Sequence, residues 1–95
     1  MSKHFSSAAA MAALLALAAC TGVKPEKVIA TVKPGLTQTE LMTRIGPPDS
    51  QYDDNGHACF QYAIGEDNNV PLAVYFDDQQ RVARTERANC RGRLR

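Results

Sequence analysis

Three patterns of apolar residues divide the chain. Residues 8–19 are apolar without interruption. After them, Leu41 and Ile45 are four positions apart, so that they share one face of a helix. Residues 59–64 and 72–76 then place large apolar side chains at every second position, which is typical of strands with one buried face. A helix followed by strands predicts an α+β domain behind an apolar leader.

The predicted helix has recognisable signals at both ends. Thr37 and Glu40 have the spacing of a capping box, in which each side chain accepts a hydrogen bond from a backbone N–H group at the helix start. Gly46 is a typical residue just beyond a helix, and the two prolines that follow it prevent continuation. We therefore predict a helix over Gln38–Ile45.

Three strands are predicted after this helix, joined by turns rich in Asp, Asn and Gly. In the third strand, Arg84 and Glu86 have the same parity as Val82, and this charged character suits the edge of a sheet. We therefore expect a short helix or a helical pair packed on a three-stranded antiparallel sheet. The predicted strands are residues 59–64, 72–76 and 81–88.

The N-terminal segment has the features of an export signal. Lys3 and His4 precede the apolar residues 8–19, which are too few to span a membrane, since about 20 are needed. Residues 17–20 read Leu-Ala-Ala-Cys and resemble the lipobox of bacterial lipoproteins. This resemblance implies cleavage before Cys20 and acyl chains on its sulfur and amine. The alternative is an ordinary secretory signal with an incidental cysteine.

This interpretation divides the chain into three parts. Residues 1–19 are the lipoprotein signal peptide, residues 20–32 the lipidated N-terminus and tether, and residues 33–95 the α+β domain. Within the tether, residues 28–32 are compatible with a short strand or with one helical turn. Thr21 follows the cysteine where inner-membrane lipoproteins have Asp, so the resemblance implies export to the outer membrane.

Two cysteines remain once Cys20 is assigned to the lipid. In an oxidising compartment Cys59 and Cys90 are expected to form a disulfide, and the alternative is two buried free thiols. In a plain three-stranded meander the two cysteines would lie at opposite ends of strands ~17–20 Å long, whereas a disulfide needs Cα atoms within ~7 Å. The chain near Cys90 must therefore double back, or the strand order must differ from a meander.

Charge is distributed unevenly, although the formal net charge is only +1. From Gln80 onward the chain carries six arginines and one glutamate. Arginines at the end of a chain are most often a solvated, frayed tail, and the alternative is a surface that binds anionic lipid headgroups. Nucleic acid is excluded as a partner by the predicted compartment.

The sequence gives little support for catalysis or for a cofactor. His57 lies two residues from Cys59, but a disulfide would remove the thiol, and no third residue is placed to orient the imidazole. His57, Cys59 and Cys90 lack a fourth zinc ligand. Residues 53–56, Asp-Asp-Asn-Gly, are too few for a calcium loop. We therefore predict a protein that is not an enzyme and that binds no metal or cofactor.

Four segments resemble the SmpA/OmlA, or BamE-like, lipoprotein family. They are Lys-Pro-Gly-Leu-Thr at 33–37, Ile-Gly-Pro-Pro at 45–48, Tyr62, and Val-Tyr-Phe-Asp at 74–77. The cysteines at the first strand and after the third are similar to those of the OsmE-like branch. The barrel-assembly branch has a tryptophan before the strand tyrosine, and this chain has Gln61 there and no tryptophan.

The resemblance implies a lipid-anchored scaffold or interaction module at the periplasmic face of the outer membrane, acting in envelope integrity and osmotic stress. The alternatives are a BamE-like accessory factor in outer-membrane β-barrel assembly and a binder of anionic lipid. A protein partner would contact the turn region or the basic third strand, and lipid would contact the arginines. The candidate residues are Tyr52, Asp53, Asp54 and His57 for the turn region, and Arg84, Arg87, Arg91 and Arg93 for the basic end.

Overall fold

The computed structural model describes residues 24–95. They form two helices and five strands. The predicted signal peptide and Cys20 lie outside the described residues. In chain order the elements are α1 (Pro25–Thr31), α2 (Gln38–Ile45), β1 (Ser50–Asp54), β2 (His57–Ile64), β3 (Val70–Phe76), β4 (Val82–Glu86) and β5 (Arg93–Leu94).

Helix α2 has the predicted bounds and the predicted capping box. The Thr37 hydroxyl group accepts a hydrogen bond from the Glu40 N–H group at 3.1 Å. The Glu40 carboxylate accepts one from the Thr37 N–H group at 2.9 Å. The helix ends at Gly46, whose φ of 87° is readily adopted only without a side chain. These local signals therefore fix α2 from both ends.

Helix α1 settles what residues 28–32 form. It has Pro25 at its first turn, where the missing N–H group is harmless, and no side chain among residues 24–95 caps it. Val28 and Ile29 pack against the core, although no residue of this helix is fully buried. Much of the segment predicted as a tether is therefore helical and lies against the sheet.

The sheet is antiparallel and has five strands in the order β4-β3-β2-β1-β5. The prediction of three strands was therefore wrong. It missed β1, whose sequence Ser-Gln-Tyr-Asp-Asp contains one apolar residue, and β5, which is only two residues long. Strand β4 lies at an edge, as its charge predicted. Residues 53–56, Asp-Asp-Asn-Gly, contain the turn that joins β1 to β2 through Asn55 and Gly56, with φ of 54° and 89°.

One face of the sheet carries the main core, and we call it the helix face. Both helices contribute to its packing. The rings of Phe60 and Phe76 meet edge to face, with their centroids 4.7 Å apart. The Tyr62 hydroxyl group donates a hydrogen bond to the Gly46 carbonyl oxygen at 3.0 Å, which ties the end of α2 to the sheet. The buried residues are Val32, Leu41, Ala58, Phe60, Tyr62, Ile64, Leu72, Val74, Phe76 and Val82.

An irregularity between β3 and β4 corrects the predicted parity of the last long strand. Val82 lies opposite Phe76, but Arg84 lies opposite Tyr75, the next residue back along β3. Because one extra residue stands between Val82 and Arg84, Arg84 and Glu86 point to the sheet face opposite Val82. The prediction that the three side chains share a face was therefore wrong.

The opposite sheet face carries Cys59, Ala73 and Tyr75, and we call it the strap face. Residues 87–95, which we call the strap, leave β4 and cross this face to add β5 to the outer edge of β1. Cys90 is bonded to Cys59 beneath the crossing, with Cα atoms 6.0 Å apart. The chain therefore doubles back, which brings the cysteines together, and the expectation of a frayed tail was wrong.

Candidate functional site

The candidate residues fall into two places, the end of the sheet that holds the β1–β2 and β3–β4 turns, and the strap face. Tyr52 belongs to the second place. It lies opposite Cys59 on one side and opposite Leu94 on the other, and its half-buried side chain packs against the strap-face cluster. The prediction grouped Tyr52 with the turn residues as a contact for a protein partner, but its side chain packs under the strap instead.

Asp53 is engaged on both carboxylate oxygens. Oδ2 accepts a hydrogen bond from the Gly56 N–H group at 3.2 Å, and Oδ1 accepts one from Arg95 at 3.0 Å. The Arg95 guanidinium, with the Gly56 N–H group second, holds the pKa of Asp53 below its usual value. This carboxylate therefore fastens the end of the strap to the β1–β2 turn.

At the same end of the sheet, His57 contacts Asp78, which was not among the residues predicted from the sequence. Its Nε2 atom is 2.7 Å from Oδ1 of Asp78 in the β3–β4 turn, and the two side chains are 44% and 92% exposed. Asp54 lies opposite His57 in the β1–β2 pair. We call Asp53, Asp54, His57 and Asp78 the rim. An acidic turn was visible in the sequence, but its pairing with His57 depends on strand register.

Arg84 stacks on Tyr75 at the β4 edge of the strap face. Its guanidinium carbon is 4.0 Å from the ring centroid, within the range of a cation–π contact. Glu86 accepts a hydrogen bond from Arg84 at 2.7 Å, and this bond is the main reason that the pKa of Glu86 is lowered. Arg84 is therefore held in place by an aromatic ring and a carboxylate.

The other three arginines differ in how they are held. Arg91 pairs with Glu86 at 3.2 Å, and its backbone N–H group donates to the Tyr75 hydroxyl oxygen at 3.1 Å. Arg87 and Arg93 are exposed, and Arg93 lies opposite Asp53 in the β5–β1 pair. The structure thus places the four predicted arginines on or beside the strap, with two of them sharing one carboxylate.

A groove that the sequence did not indicate lies between α1, the end of α2 and the β2–β3 turn. Its volume is about 700 Å³. Val28, Ile45 and Ile64 supply apolar wall, and Lys27 and Arg44 supply positive charge. Arg44 also donates a hydrogen bond to the Thr31 carbonyl oxygen at 3.0 Å, which links the two helices.

The described residues contain no group of three His, Cys, Asp or Glu side chains placed to hold a metal ion. His57 and Cys59 do not form a nucleophilic pair, because the sulfur of Cys59 is bonded to Cys90. No helix among residues 24–95 is long and apolar enough to cross a membrane.

Comparison with known proteins gave no match to a family model, to a curated protein sequence or to a solved structure. The resemblance to the SmpA/OmlA family therefore rests on the sequence segments alone and stays a prediction.

Proposed function

We propose that this chain is a lipid-anchored, non-enzymatic lipoprotein at the periplasmic face of the outer membrane. In this proposal it is an OsmE-like interaction module that supports envelope integrity under stress. The observation that carries the proposal is the sequence Leu-Ala-Ala-Cys at the end of an apolar signal, directly ahead of a small α+β domain. A signal with this ending favours a mature protein that begins with an acylated Cys20.

Two structural features support this proposal. Disulfides persist in secreted and periplasmic proteins, and Cys59 and Cys90 form one. Helix α1 begins at Pro25, only a few residues after Cys20, so the intervening chain reaches at most roughly 17 Å when fully extended. A domain tethered so closely would lie beside the membrane and meet partners there.

The charge arrangement favours a protein partner over a lipid surface. Arg84 and Arg91 share Glu86, and Arg95 pairs with Asp53, so three arginines already have carboxylate partners. These exposed pairs neutralise part of the positive charge of the basic end, although each adds little stability. The rim presents exposed charged groups to a protein, above all Asp78, whose side chain is 92% exposed beside its contact with His57.

The anchor is tested by the mass and the location of the mature protein. We expect the wild-type protein to begin at Cys20, to carry the added mass of acyl chains, and to fractionate with the outer membrane. Cys20→Ser should abolish both the acylation and the cleavage at this position. A wild-type protein that is exported and cut without a lipid would contradict the proposal and support an ordinary secretory signal.

The partner is tested with a photo-crosslinking residue at Asp78 in the rim. The matched control is the same residue at Asp67, an exposed aspartate in the turn at the other end of β3. We expect one envelope protein to be captured from Asp78 and not from Asp67, and the capture to survive moderate salt. Capture of barrel-assembly subunits would favour the BamE-like alternative, and capture of lipid alone would contradict the proposed protein contact.

A further inference from the structure

The strap has almost no buried surface of its own. Of its nine residues, Cys90 is half-buried and the other eight are exposed. Leu94, its one large aliphatic side chain, is 65% exposed. Because the hydrophobic contribution follows the apolar area removed from water, the strap's own side chains contribute little to its docking.

Within residues 24–95 the strap makes few non-covalent contacts, and its hydrogen bonds to Gln61 and Tyr75 are only partly buried. The N–H groups of Cys90, Arg91 and Arg95 donate to the Gln61 side chain, the Tyr75 hydroxyl oxygen and the Gln51 carbonyl oxygen. Strand β5 pairs with β1 over only two residues. The ion pairs of Arg91 and Arg95 are exposed, and such pairs add little stability. The disulfide is therefore the strongest attachment of this segment.

The strap covers a set of buried residues that is separate from the main core. Cys59 and Ala73 are fully buried and Tyr75 is 4% exposed, all on the strap face. The residues that pack against the helices, such as Leu41 and Phe60, belong to the cluster on the helix face. Release of the strap would therefore uncover one side of the sheet without opening the packing between helices and sheet.

We propose that the Cys59–Cys90 disulfide is a reducible latch that holds the strap closed. The reductant is a protein or small-molecule dithiol. Its thiolate attacks the sulfur of half-buried Cys90, since Cys59 is fully buried. The bond between the two cysteine sulfurs breaks, a mixed disulfide forms with Cys90, and Cys59 leaves as a thiolate that takes a proton from water.

The second thiol of the dithiol completes the exchange. It attacks the mixed disulfide, releases Cys90 as a thiol and closes the reductant's own disulfide, so that two electrons pass to the protein. Residues 87–95 then detach from the sheet. Detachment bares the strap face around Tyr75 and the outer edge of β1, which β5 occupies in the oxidised protein. This inference does not depend on the anchor at Cys20.

Hydrogen exchange with mass spectrometry tests the latch in the full protein, oxidised and after reduction with dithiothreitol. We expect exchange at the strap amides, including those of Arg91 and Arg95, to rise about tenfold or more on reduction. Exchange in α2 and β3 should stay unchanged. Unchanged exchange in the strap would overturn the proposal, and so would an equal rise in α2, because the whole domain would then open.

The matched control is Cys90→Ser, which lacks the bridge before any reductant is added. Its strap should exchange rapidly in both conditions, and dithiothreitol should add nothing. Should this variant not fold, alkylation of the reduced wild-type protein gives an independent answer. A detached strap leaves Cys59 and Cys90 with similar rates of reaction with N-ethylmaleimide, whereas protection of Cys59 alone would show that the strap stays docked.

Discussion

Where the strap crosses β1, one glycine position leaves no room for a side chain. Gly92 has a φ of 99°, and a Cβ atom there would collide with the backbone of Asp53 and Asp54. Gly35 has a similar φ of 94°, but no atom of residues 24–95 outside its chain neighbours lies within 4 Å of the added carbon. These two glycines therefore separate the cost of a steric clash from the cost of an unfavourable dihedral angle.

We predict that Gly92→Ala displaces the strap, because backbone atoms cannot move aside as a flexible side chain could. Gly35→Ala has only the dihedral penalty, about 1–2 kcal/mol. Hydrogen exchange of the strap amides should rise in Gly92→Ala and stay near the wild-type level in Gly35→Ala. Unchanged strap exchange in Gly92→Ala would mean that the strap adapts to the added methyl group.

Tyr62 joins the sheet to the end of α2 through its hydroxyl group. Tyr62→Phe should lower the free energy of unfolding by about 1 kcal/mol, because the Gly46 carbonyl oxygen loses its donor. Urea denaturation measures this loss. The control is Tyr52→Phe, since the Tyr52 hydroxyl makes no hydrogen bond within residues 24–95, and it should change stability by less than half as much.

We also expect the ionisation of Tyr62 to respond to high pH in a specific way. Burial, with the negative charge of Asp49 second, raises the pKa of Tyr62 well above its usual value. Because the pKa of Tyr62 is higher in the folded protein, the stability that its neutral hydroxyl group contributes is fully present below the usual tyrosine pKa. That stability is lost as pH rises through the pKa of the folded state. Spectrophotometric titration should show a late-ionising tyrosine that disappears in Tyr62→Phe, and its persistence in that variant would contradict the assignment.

Among the elements, the two helices differ in what stabilises them. Helix α2 has a complete capping box, a glycine stop and the fully buried Leu41. Helix α1 has seven residues, no side-chain cap and no buried residue. Since short isolated helices are marginal in water, α1 depends on its contacts with the sheet, whereas α2 has local support as well.

Thr37→Ala tests the capping box directly. The variant should lose about 1 kcal/mol of stability, because the Glu40 N–H group loses its acceptor. Thr39→Ala is the matched control, since Thr39 is exposed in the same helix, and it should stay within about 0.5 kcal/mol of the wild type. Thermal or urea denaturation distinguishes them, and equal effects would contradict a role for the cap.

The cap also predicts a response to acid. The N–H group of Thr37 is the main cause of the lowered pKa of Glu40. Because the pKa of Glu40 is lower in the folded protein, the stability that its carboxylate contributes is present above the unfolded-state pKa of about 4.3. That stability is lost as pH falls through the pKa of the folded state. Glu40→Gln keeps an acceptor without the charge, so its urea midpoint should fall less between pH 7 and about pH 3 than that of the wild type.

In the molecule as a whole, different interactions cover the two faces of the sheet. The helix face is closed by apolar packing, with Leu41 and Val32 from the helical region meeting Phe60 and Val74 from the sheet. The strap face is closed by a covalent bond and a few hydrogen bonds. The global stability of the domain should therefore depend on the helix face, and the accessibility of the other face on the strap.

Leu41→Ala tests whether packing on the helix face determines the global stability of the domain. Leu41 is fully buried, so its truncation should lower the free energy of unfolding by about 2–5 kcal/mol. Met42→Ala, at the neighbouring position, removes a side chain that is 36% exposed and should have a much smaller effect. A loss for Met42→Ala as large as that for Leu41→Ala would contradict the packing described here. Urea denaturation of both variants measures the difference.

Elements with local signals could be predicted from the sequence. Helix α2 was identified by residues within ten positions of each other, and β2 and β3 by large apolar side chains at alternate positions, because these interactions are made within one segment. The pair Cys59 and Cys90 was also visible as a candidate, since few cysteines are available.

Features that depend on pairing with distant segments could not be predicted from local sequence patterns. Strand β1 has only Tyr52 as an apolar residue, and β5 has two residues, so both exist because β2 and β1 offer backbone partners. The extra residue that turns Arg84 toward Tyr75 likewise follows from register against β3. Local patterns in the sequence were enough to predict helix α2, strands β2, β3 and β4, and a pair of cysteines. The path of the chain across the sheet was not predictable in this way, because it is set by contacts between segments far apart in sequence.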